Sequence, residues 1–138
     1  MRARTRSVAN FKLKSQVPKE DAEQMRLAGW LKKNNILSYH CPNGGRRSYV
    51  EGCKLKAMGV SPGVPDICVP IARRGYHGLY CELKRKEGGV VSEAQRQWLE
   101  ALRREGYYVF VSKGADEAIA RIKLYMEQTN DQGCQSNR

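Results

Sequence analysis

Gly63-Val64-Pro65-Asp66 and the later stretch Tyr80-Cys81-Glu82-Leu83-Lys84 are the parts of the sequence that decide the fold. The second stretch has the apolar character of a buried strand, yet it carries two charges. Because alternate residues of a strand share a face and lie about 6.5 Å apart, Glu82 and Lys84 point the same way. A carboxylate and an ammonium group are costly to bury unless something there uses them. The pattern therefore predicts a functional site on this strand.

Asp66 supplies a second carboxylate to that site if two strands pair as neighbours. It begins the apolar run Ile67-Cys68-Val69-Pro70-Ile71, and Arg73-Arg74-Gly75 then predicts the turn of a hairpin that returns the chain to Glu82. Two acidic oxygen donors with a lysine alongside are typical of a site for Mg²⁺ or Mn²⁺ that hydrolyses phosphodiester bonds. We expect Asp66 and Glu82 to bind the metal, and Lys84 to orient or help deprotonate the attacking water.

The same residues resemble a known nuclease signature. Pro65-Asp66, followed after fifteen residues by Glu82-Leu83-Lys84, is similar to the PD-(D/E)XK motif, which is a weak signal alone because its residues are common. Further blocks narrow the resemblance to the VRR-NUC family, the virus-type replication-repair nucleases, because they occur in that family's order and at its usual distances. Besides Gly63–Asp66 and Glu82–Lys84, the blocks are Pro42-Asn43-Gly44-Gly45-Arg46-Arg47, Gly75-Tyr76-His77-Gly78-Leu79-Tyr80 and Ser92-Glu93-Ala94-Gln95.

The resemblance implies the restriction-endonuclease-like fold, an α/β domain with a small mixed central β-sheet flanked by helices. The predicted order of elements agrees: helix, strand, helix, strand, strand, helix, strand, helix. We divide the chain into a basic N-terminal arm (1–17), a VRR-NUC-like nuclease domain (18–128) and a polar C-terminal tail (129–138). The first helix, Glu20 to Lys33, is expected to bury Met25, Ala28 and Leu31.

The resemblance also adds residues to the site. A glutamate of the first helix joins the metal site in this family, and Glu20 matches its position better than the alternative, Glu23. A glutamate is also favoured at a helix N-terminus by the helix dipole alone. The backbone carbonyl of Leu83 is a further expected ligand.

Ser92 and Gln95 have the spacing of a capping box at the start of the third helix, which by itself accounts for both residues. In the resembled family this serine and glutamine lie beside the catalytic strand. We therefore expect Gln95 to serve the catalytic site as well as the cap, and Ser92 to contact DNA.

The charge balance favours a polyanionic partner. Lys and Arg number 25 against 14 Asp and Glu, a formal net charge of +11. The N-terminal arm is interpreted either as a phosphate-tracking segment or as a solvated tail. We predict a DNA-binding loop that contains Asn43, Arg46 and Arg47, in which a phosphate would contact backbone amide and guanidinium groups. A turn without a binding role would explain the same residues. Lys86 is a further candidate for DNA contact.

Together these features predict a metal-dependent, structure-specific endonuclease. The family is associated with replication and repair, so we expect branched DNA as the substrate, a Holliday junction or a flap. A four-way junction has two symmetric cut positions, which implies a homodimer. The alternative is a non-catalytic DNA-binding module that retains the nuclease fold. An incidental Asp/Glu/Lys set in a basic protein would not explain five blocks in register.

The cysteines and the lack of long apolar stretches indicate the cellular compartment of the protein. Five cysteines without a CxxC motif favour a reducing compartment, with free thiols and no zinc. No stretch reaches the length of about 18 apolar residues of a membrane span, and no signal-peptide core is present. We expect no membrane partner and an intracellular, cytoplasmic protein of a bacterial or phage-infected cell. His40 and His77 are interpreted as structural or surface residues.

Overall fold

The computed structural model describes residues 20–43 and 47–127. The predicted arm, the predicted tail and Arg46 lie outside these residues. Within them the order of elements agrees with the predicted one. The helices are α1 (Glu20–Lys33), α2 (Tyr49–Ala57), α3 (Glu93–Arg104) and α4 (Ala115–Met126), and the strands are β1 (Tyr39–His40), β2 (Ile67–Val69), β3 (Leu79–Lys84) and β4 (Tyr108–Lys113).

The four strands form one mixed sheet in the order β1-β2-β3-β4. β1 pairs with β2 and β2 with β3 in antiparallel fashion, whereas β3 and β4 are parallel. Helix α3 makes the crossover that a parallel pair requires. Ile67 pairs with Cys81, so Asp66, one residue earlier, comes across from Glu82, one residue later. This register confirms the predicted hairpin.

Strand β3 lies at the centre of the fold and is buried along most of its length. Its alternate residues Leu79, Cys81 and Leu83 pack into the larger core, between the sheet and helices α1 and α4. Tyr80 packs on the other face, against the smaller cluster under α3. Because side chains of a strand alternate, Glu82 shares the α3 face with Tyr80. The two charges of β3 thus face the start of α3.

The buried face of α1 differs from the predicted one. The helix buries Glu23, Leu27 and Leu31, four residues apart, whereas Met25 is 73% exposed and Ala28 is also exposed. The stripe at i, i+4 and i+8 is the one that faces α4 and the sheet. The stripe was not recognised in the sequence because its first residue, Glu23, is charged. In the described ranges, no helix has the length and apolar character needed to cross a membrane.

Candidate active site

Asp66 is held from two sides by the sheet. Its Oδ2 accepts a hydrogen bond from the Leu83 backbone N–H (2.7 Å). Its carbonyl oxygen accepts from the Cys41 N–H (2.8 Å) and from Nδ1 of His40 (2.8 Å). Pro65, which is buried, fixes the backbone dihedral of the approach. The orientation of the Asp66 carboxylate therefore depends on both β1 and β3.

The two carboxylate oxygens of Glu82 differ in their hydrogen bonding: one accepts two hydrogen bonds, and the other accepts none from the described residues. Its Oε1 accepts hydrogen bonds from Nζ of Lys84 (2.8 Å) and Nε2 of Gln95 (2.5 Å). Its Oε2 is buried and has no hydrogen-bond partner among the described residues. The Glu82 residue is 1% exposed, so an unpartnered carboxylate oxygen at this place is costly. Such an oxygen is the position at which a cation would be stabilising.

The two carboxylates are destabilised as anions where they lie. Burial raises the pKa of Glu82 to about 7; the hydrogen bond from Lys84 acts in the opposite direction, and the nearby charge of Asp66 adds to the increase. Burial also raises the pKa of Asp66, against the lowering effect of the Leu83 amide. The charge of Asp66 thus disfavours ionisation of Glu82, whereas a hydrogen bond with Glu82 lowers the pKa of Asp66, so a proton or a cation beside the Glu82 carboxylate is favoured near neutral pH.

The donor set fits a divalent cation of the magnesium type. Asp66 and Glu82 offer carboxylate oxygens, which are the ligands that Mg²⁺ and Mn²⁺ prefer. In residues 20–43 and 47–127, no three His, Cys, Asp or Glu side chains are grouped so as to hold a metal ion. The acids brought together are thus the pair Asp66 and Glu82. Glu20 and the Leu83 carbonyl remain predicted further ligands.

A cleft of about 390 Å³ opens beside Asp66. Asp66, Glu20 and Asn43 line it, and so do two residues that the sequence did not place at the site, Gln24 and His40. Glu20 is exposed and raises the pKa of Glu82 through its charge, so it lies within electrostatic reach of the pair. The contact of His40 with the Asp66 backbone could have been found only from the β1–β2 register, which the sequence does not fix.

Glu23, the alternative to Glu20, has a different environment. It is 2% exposed, and its Oε2 accepts a hydrogen bond from the Ala115 N–H (2.5 Å) at the N-terminus of α4. The same oxygen lies 4.0 Å from a guanidinium nitrogen of Arg26. Glu23 therefore stabilises the start of α4, where a carboxylate is favoured by the helix dipole. Of the two glutamates, Glu20 is the one that lines the cleft.

The predicted capping box at α3 is confirmed. The Gln95 N–H donates to Oγ of Ser92 (3.2 Å), and Oε1 of Gln95 accepts from the Ser92 N–H (2.8 Å). The amide nitrogen of the same Gln95 side chain donates to Glu82. One side chain thus joins the start of α3 to the acidic pair.

The loop residues predicted to contact DNA are exposed and also make contacts within the chain. The Asn43 side-chain amide donates to the carbonyl oxygen of Val64, in the loop that leads to Asp66. A guanidinium nitrogen of Arg47 donates to the carbonyl oxygen of Pro42 (3.2 Å). Asn43 therefore lies at the edge of the cleft, and both side chains retain exposed surface for a phosphate.

The other predicted DNA contacts lie apart from this loop. Nζ of Lys86 is 3.6 Å from a carboxylate oxygen of Asp116, and both side chains are about half exposed. Ser92 is exposed, with its hydroxyl engaged in the helix cap. The role of these residues in DNA binding remains a prediction, as it does for Arg46.

The fold and the three side chains Asp66, Glu82 and Lys84 define the class of protein: an α/β domain of the PD-(D/E)XK nuclease type. The model of the VRR-NUC domain matches residues 18–116, and the chain belongs to the VRR-NUC family. Its function is accordingly of the nuclease, DNA-processing type.

A solved structure supports this family assignment. It is that of a VRR_NUC domain protein, 33% identical to this chain. The match has a TM-score of 0.69 and covers 79% of this chain and 88% of the other. A search of curated proteins found no significant match.

Proposed function

We propose that the chain is a metal-dependent, structure-specific DNA endonuclease that hydrolyses phosphodiester bonds in branched DNA. The observation that carries the proposal is the buried, unpartnered Oε2 of Glu82 beside Asp66. An internal hydrogen-bonding role explains Oε1 of the same carboxylate and leaves Oε2 without an explanation. A divalent cation supplies one.

Asp66 and Glu82 would hold Mg²⁺ or Mn²⁺, with Glu20 and the Leu83 carbonyl as further ligands. When bound, the cation lowers the pKa of water and offsets the negative charge that develops on the phosphate. Lys84, whose Nζ is fixed 2.8 Å from Oε1 of Glu82, orients the attacking water or helps to remove its proton. It also offsets charge on the phosphate.

Gln95 acts as a positioning residue in this account. Its amide nitrogen donates a hydrogen bond to Oε1 of Glu82. The other carboxylate oxygen, Oε2, therefore remains for the cation. Asn43 at the edge of the cleft and Arg47 in the same loop would contact the DNA backbone, together with Arg46, Lys86 and Ser92. Phosphate contacts of this kind position the substrate without reading its sequence.

The substrate class follows from the family and from symmetry. Branched replication and repair intermediates, a four-way junction or a flap, are the proposed substrates. A junction resolvase makes two symmetric cuts, which two active sites in a homodimer would supply. The family and the charge of +11 support DNA as the partner.

The test is cleavage of labelled four-way junction, flap, single-stranded and duplex DNA with Mg²⁺, Mn²⁺ or EDTA. The variant Lys84→Ala is compared with Lys113→Ala, because Lys113 occupies the paired position on β4 and is exposed. We expect metal-dependent cutting of branched DNA that Lys84→Ala loses and Lys113→Ala keeps. Tight binding without cutting in any metal would instead identify a non-catalytic DNA-binding module. Paired symmetric cuts in the junction would identify a resolvase, and cuts mainly in flaps a flap nuclease.

A further inference from the structure

The cleft beside Asp66 contains a hydrogen-bond donor that the described chain does not use. Gln24, on α1, lines this cleft, and the nitrogen of its side-chain amide is buried without a hydrogen-bond partner among the described residues. An amide donor that is buried in this way costs free energy unless a bound group supplies the acceptor. Gln24 has no role in the proposed chemistry, so its amide indicates a ligand other than the cation.

The charges of the cleft wall disfavour a phosphate group as that ligand. Besides Asp66, the first turn of α1 contributes the carboxylates of Glu20 and Asp21 to the wall. Of the residues that the structure describes, no lysine or arginine lines the cleft. A phosphate inside the cleft would therefore be repelled by carboxylates wherever the cation does not offset them. An uncharged group that carries both hydrogen-bond donors and acceptors fits this wall better.

The residues at the end of β1 provide a surface for a flat ring. His40 and Pro42 both line the cleft, and both are exposed. Nδ1 of His40 donates a hydrogen bond to the Asp66 carbonyl oxygen (2.8 Å), which holds the imidazole in place. Histidine is one of the side chains on which unpaired nucleobases stack. A nucleobase is flat, uncharged and edged with donors and acceptors, so it matches both the wall and this surface.

The size of the cleft restricts the ligand to a single base. A volume of about 390 Å³ is that of a cube about 7 Å wide, whereas the major groove of duplex DNA is by itself about 12 Å wide. A base can therefore enter the cleft only when it is unpaired. Unpairing costs free energy, and this cost is least for a base that is already single-stranded. The cleft thus favours a nucleotide at a flap or branch point over one inside a duplex.

We propose that this cleft binds one unpaired nucleobase of the DNA, next to the phosphodiester bond that is cut. Gln24 donates a hydrogen bond to an acceptor on the edge of the base, and Asp21 accepts one from a donor of the base. Asp21 is exposed and has no ion-pair partner among the described residues. Every DNA base has both kinds of group on its Watson–Crick edge, so the subsite accepts any base.

The inference rests on the proposed function, because it names the feature of branched DNA that the site recognises. That feature is an unpaired nucleotide and not a base sequence. Flaps, and junctions with an unpaired nucleotide at the branch point, are therefore the preferred substrates within the proposed class.

The first test measures the environment of the base without cleavage. 2-Aminopurine replaces one of the nucleotides at the branch point of a flap, and its fluorescence is followed in EDTA as the full chain is added. We expect the fluorescence to change at the branch point and to stay constant when the probe lies well inside the duplex arm. Constant fluorescence at every nucleotide of the branch point would overturn the proposal.

Gln24→Leu tests the amide donor. Leucine retains the size and the helix propensity of glutamine but has no donor. We expect the affinity for the flap to fall about tenfold, with no loss of unfolding free energy, because the wild-type amide nitrogen has no partner to lose. Gln97→Leu, the same change at an exposed position of α3, should leave the affinity unchanged. Lower stability of Gln24→Leu with unchanged affinity would assign Gln24 to the fold and overturn the proposal.

An abasic nucleotide tests the base itself and requires no variant. The wild type should bind a flap that is abasic at the branch point about tenfold more weakly than the intact flap. This loss should be smaller in Gln24→Leu, because the base and the amide act through the same contact. Exchange of one base for another at the branch point should change the affinity less than about twofold. Equal affinity of the wild type for the intact and the abasic flap would overturn the proposal.

Cleavage in Mg²⁺ separates this inference from the proposed function. We expect the wild type to cut the intact flap faster than the abasic one. Absence of cutting in any metal, with the fluorescence change and the preference for the intact flap retained, would contradict the proposed function and leave the base subsite standing. Cutting of both flaps at one rate, without a fluorescence change, would overturn the subsite and leave the proposed function standing.

Discussion

The side-chain amide of Gln95 donates a hydrogen bond of 2.5 Å to Oε1 of Glu82, while its carbonyl oxygen caps α3 by accepting from the Ser92 N–H. The start of α3 is thereby connected to the centre of β3 through one residue. The second oxygen of Glu82 is left open. In our account, this connection decides which carboxylate oxygen faces the cation.

Gln95→Leu should therefore damage stability and activity together. Loss of half of the capping box and of the hydrogen bond to Glu82 is expected to cost about 1–2 kcal/mol of unfolding free energy, measured by urea denaturation. Gln97→Ala is the matched control, because Gln97 lies on the exposed side of α3 and bonds only to Glu93 (3.3 Å). Equal stability of the two variants would contradict the connection.

Gln95→Glu separates the two roles of Gln95. Glutamate also completes a capping box, so the helix cap is retained. However, a carboxylate would now face Glu82 in place of an amide donor, and we expect cleavage to fall about 10- to 100-fold, with a loss of stability that comes from the Glu82 contact and not from the cap. A variant that cleaves at the wild-type rate would show that the contact with Glu82 does not serve the site.

At Gly63, the loop that precedes Asp66 packs closely against the backbone at the start of α3. Its φ is +86°, and a Cβ at this position would lie 2.5 Å from the Ala94 carbonyl carbon and 2.8 Å from the Gln95 nitrogen. Both contacts are with backbone, which cannot move aside locally. Gly63→Ala is expected to destabilise the fold by about 2 kcal/mol or more, measured by thermal and urea denaturation.

Gly52→Ala provides the opposite control for Gly63→Ala. Gly52 lies inside α2, and nothing would be within 4 Å of its added Cβ. Alanine there should raise stability by about 0.5–1 kcal/mol, because alanine has the higher helix propensity. A Gly63→Ala variant as stable as Gly52→Ala would show that the loop and α3 are not in contact.

Substitutions of the two glutamates of α1 should have different effects: one should lower stability, and the other should lower cleavage. Glu23→Gln weakens the charge-assisted bond to Ala115 and is expected to cost about 1–3 kcal/mol, with cleavage per folded molecule unchanged. Glu20→Gln is expected to leave stability unchanged, because Glu20 is exposed, and to lower cleavage. Denaturation and single-turnover assays on both variants measure this. The reverse pattern would exchange the two roles.

The buried acid pair predicts a particular pH dependence of the metal-free protein. The pKa of Glu82 rises from 4.5 to about 7 on folding, so between these values the folded state holds a proton that the unfolded state has released. The contribution of Glu82 to stability is therefore fully present below pH 4.5 and is lost as the pH rises through 7, by about 3 kcal/mol. Asp66 changes in the same direction.

This prediction is measured by urea denaturation in EDTA at pH 5 and pH 8. Glu82→Gln cannot ionise, so its stability should fall less than that of the wild type between these two pH values. The difference between the two proteins isolates the carboxylate from all other titrating groups. Parallel pH profiles would show that Glu82 is not buried as an acid.

Much of this site could be predicted because its residues are close along the chain. Glu82 and Lys84 are two apart on a strand, and Asp66 is one hairpin away, so strand geometry alone brings them together. The capping box is equally local. What depends on packing between distant segments could not be predicted in this way. The bond from Glu23 to Ala115 spans 92 residues, and the contact of His40 with Asp66 depends on the register of a two-residue edge strand.

The apolar face of α1 illustrates the same limit. Met25 is apolar but exposed, and Glu23 is charged but buried, because the partner that satisfies Glu23 is the start of α4. Likewise, the sequence of α2 predicts a helix but does not indicate that its apolar residues Tyr49 and Val50 are exposed, which only the structure shows. In each case the deciding contact, or the lack of one, belongs to the tertiary structure.

Single-turnover cleavage by Asp66→Ala measures most directly whether Asp66 and Glu82 hold the cation that drives phosphodiester hydrolysis. With protein in excess over flap or junction DNA in Mg²⁺, we predict a rate about 10³-fold below the wild type and unchanged DNA affinity. Asp116→Ala, which removes an exposed carboxylate, should cut at the wild-type rate. Cleavage by Asp66→Ala as fast as by the wild type would contradict the account.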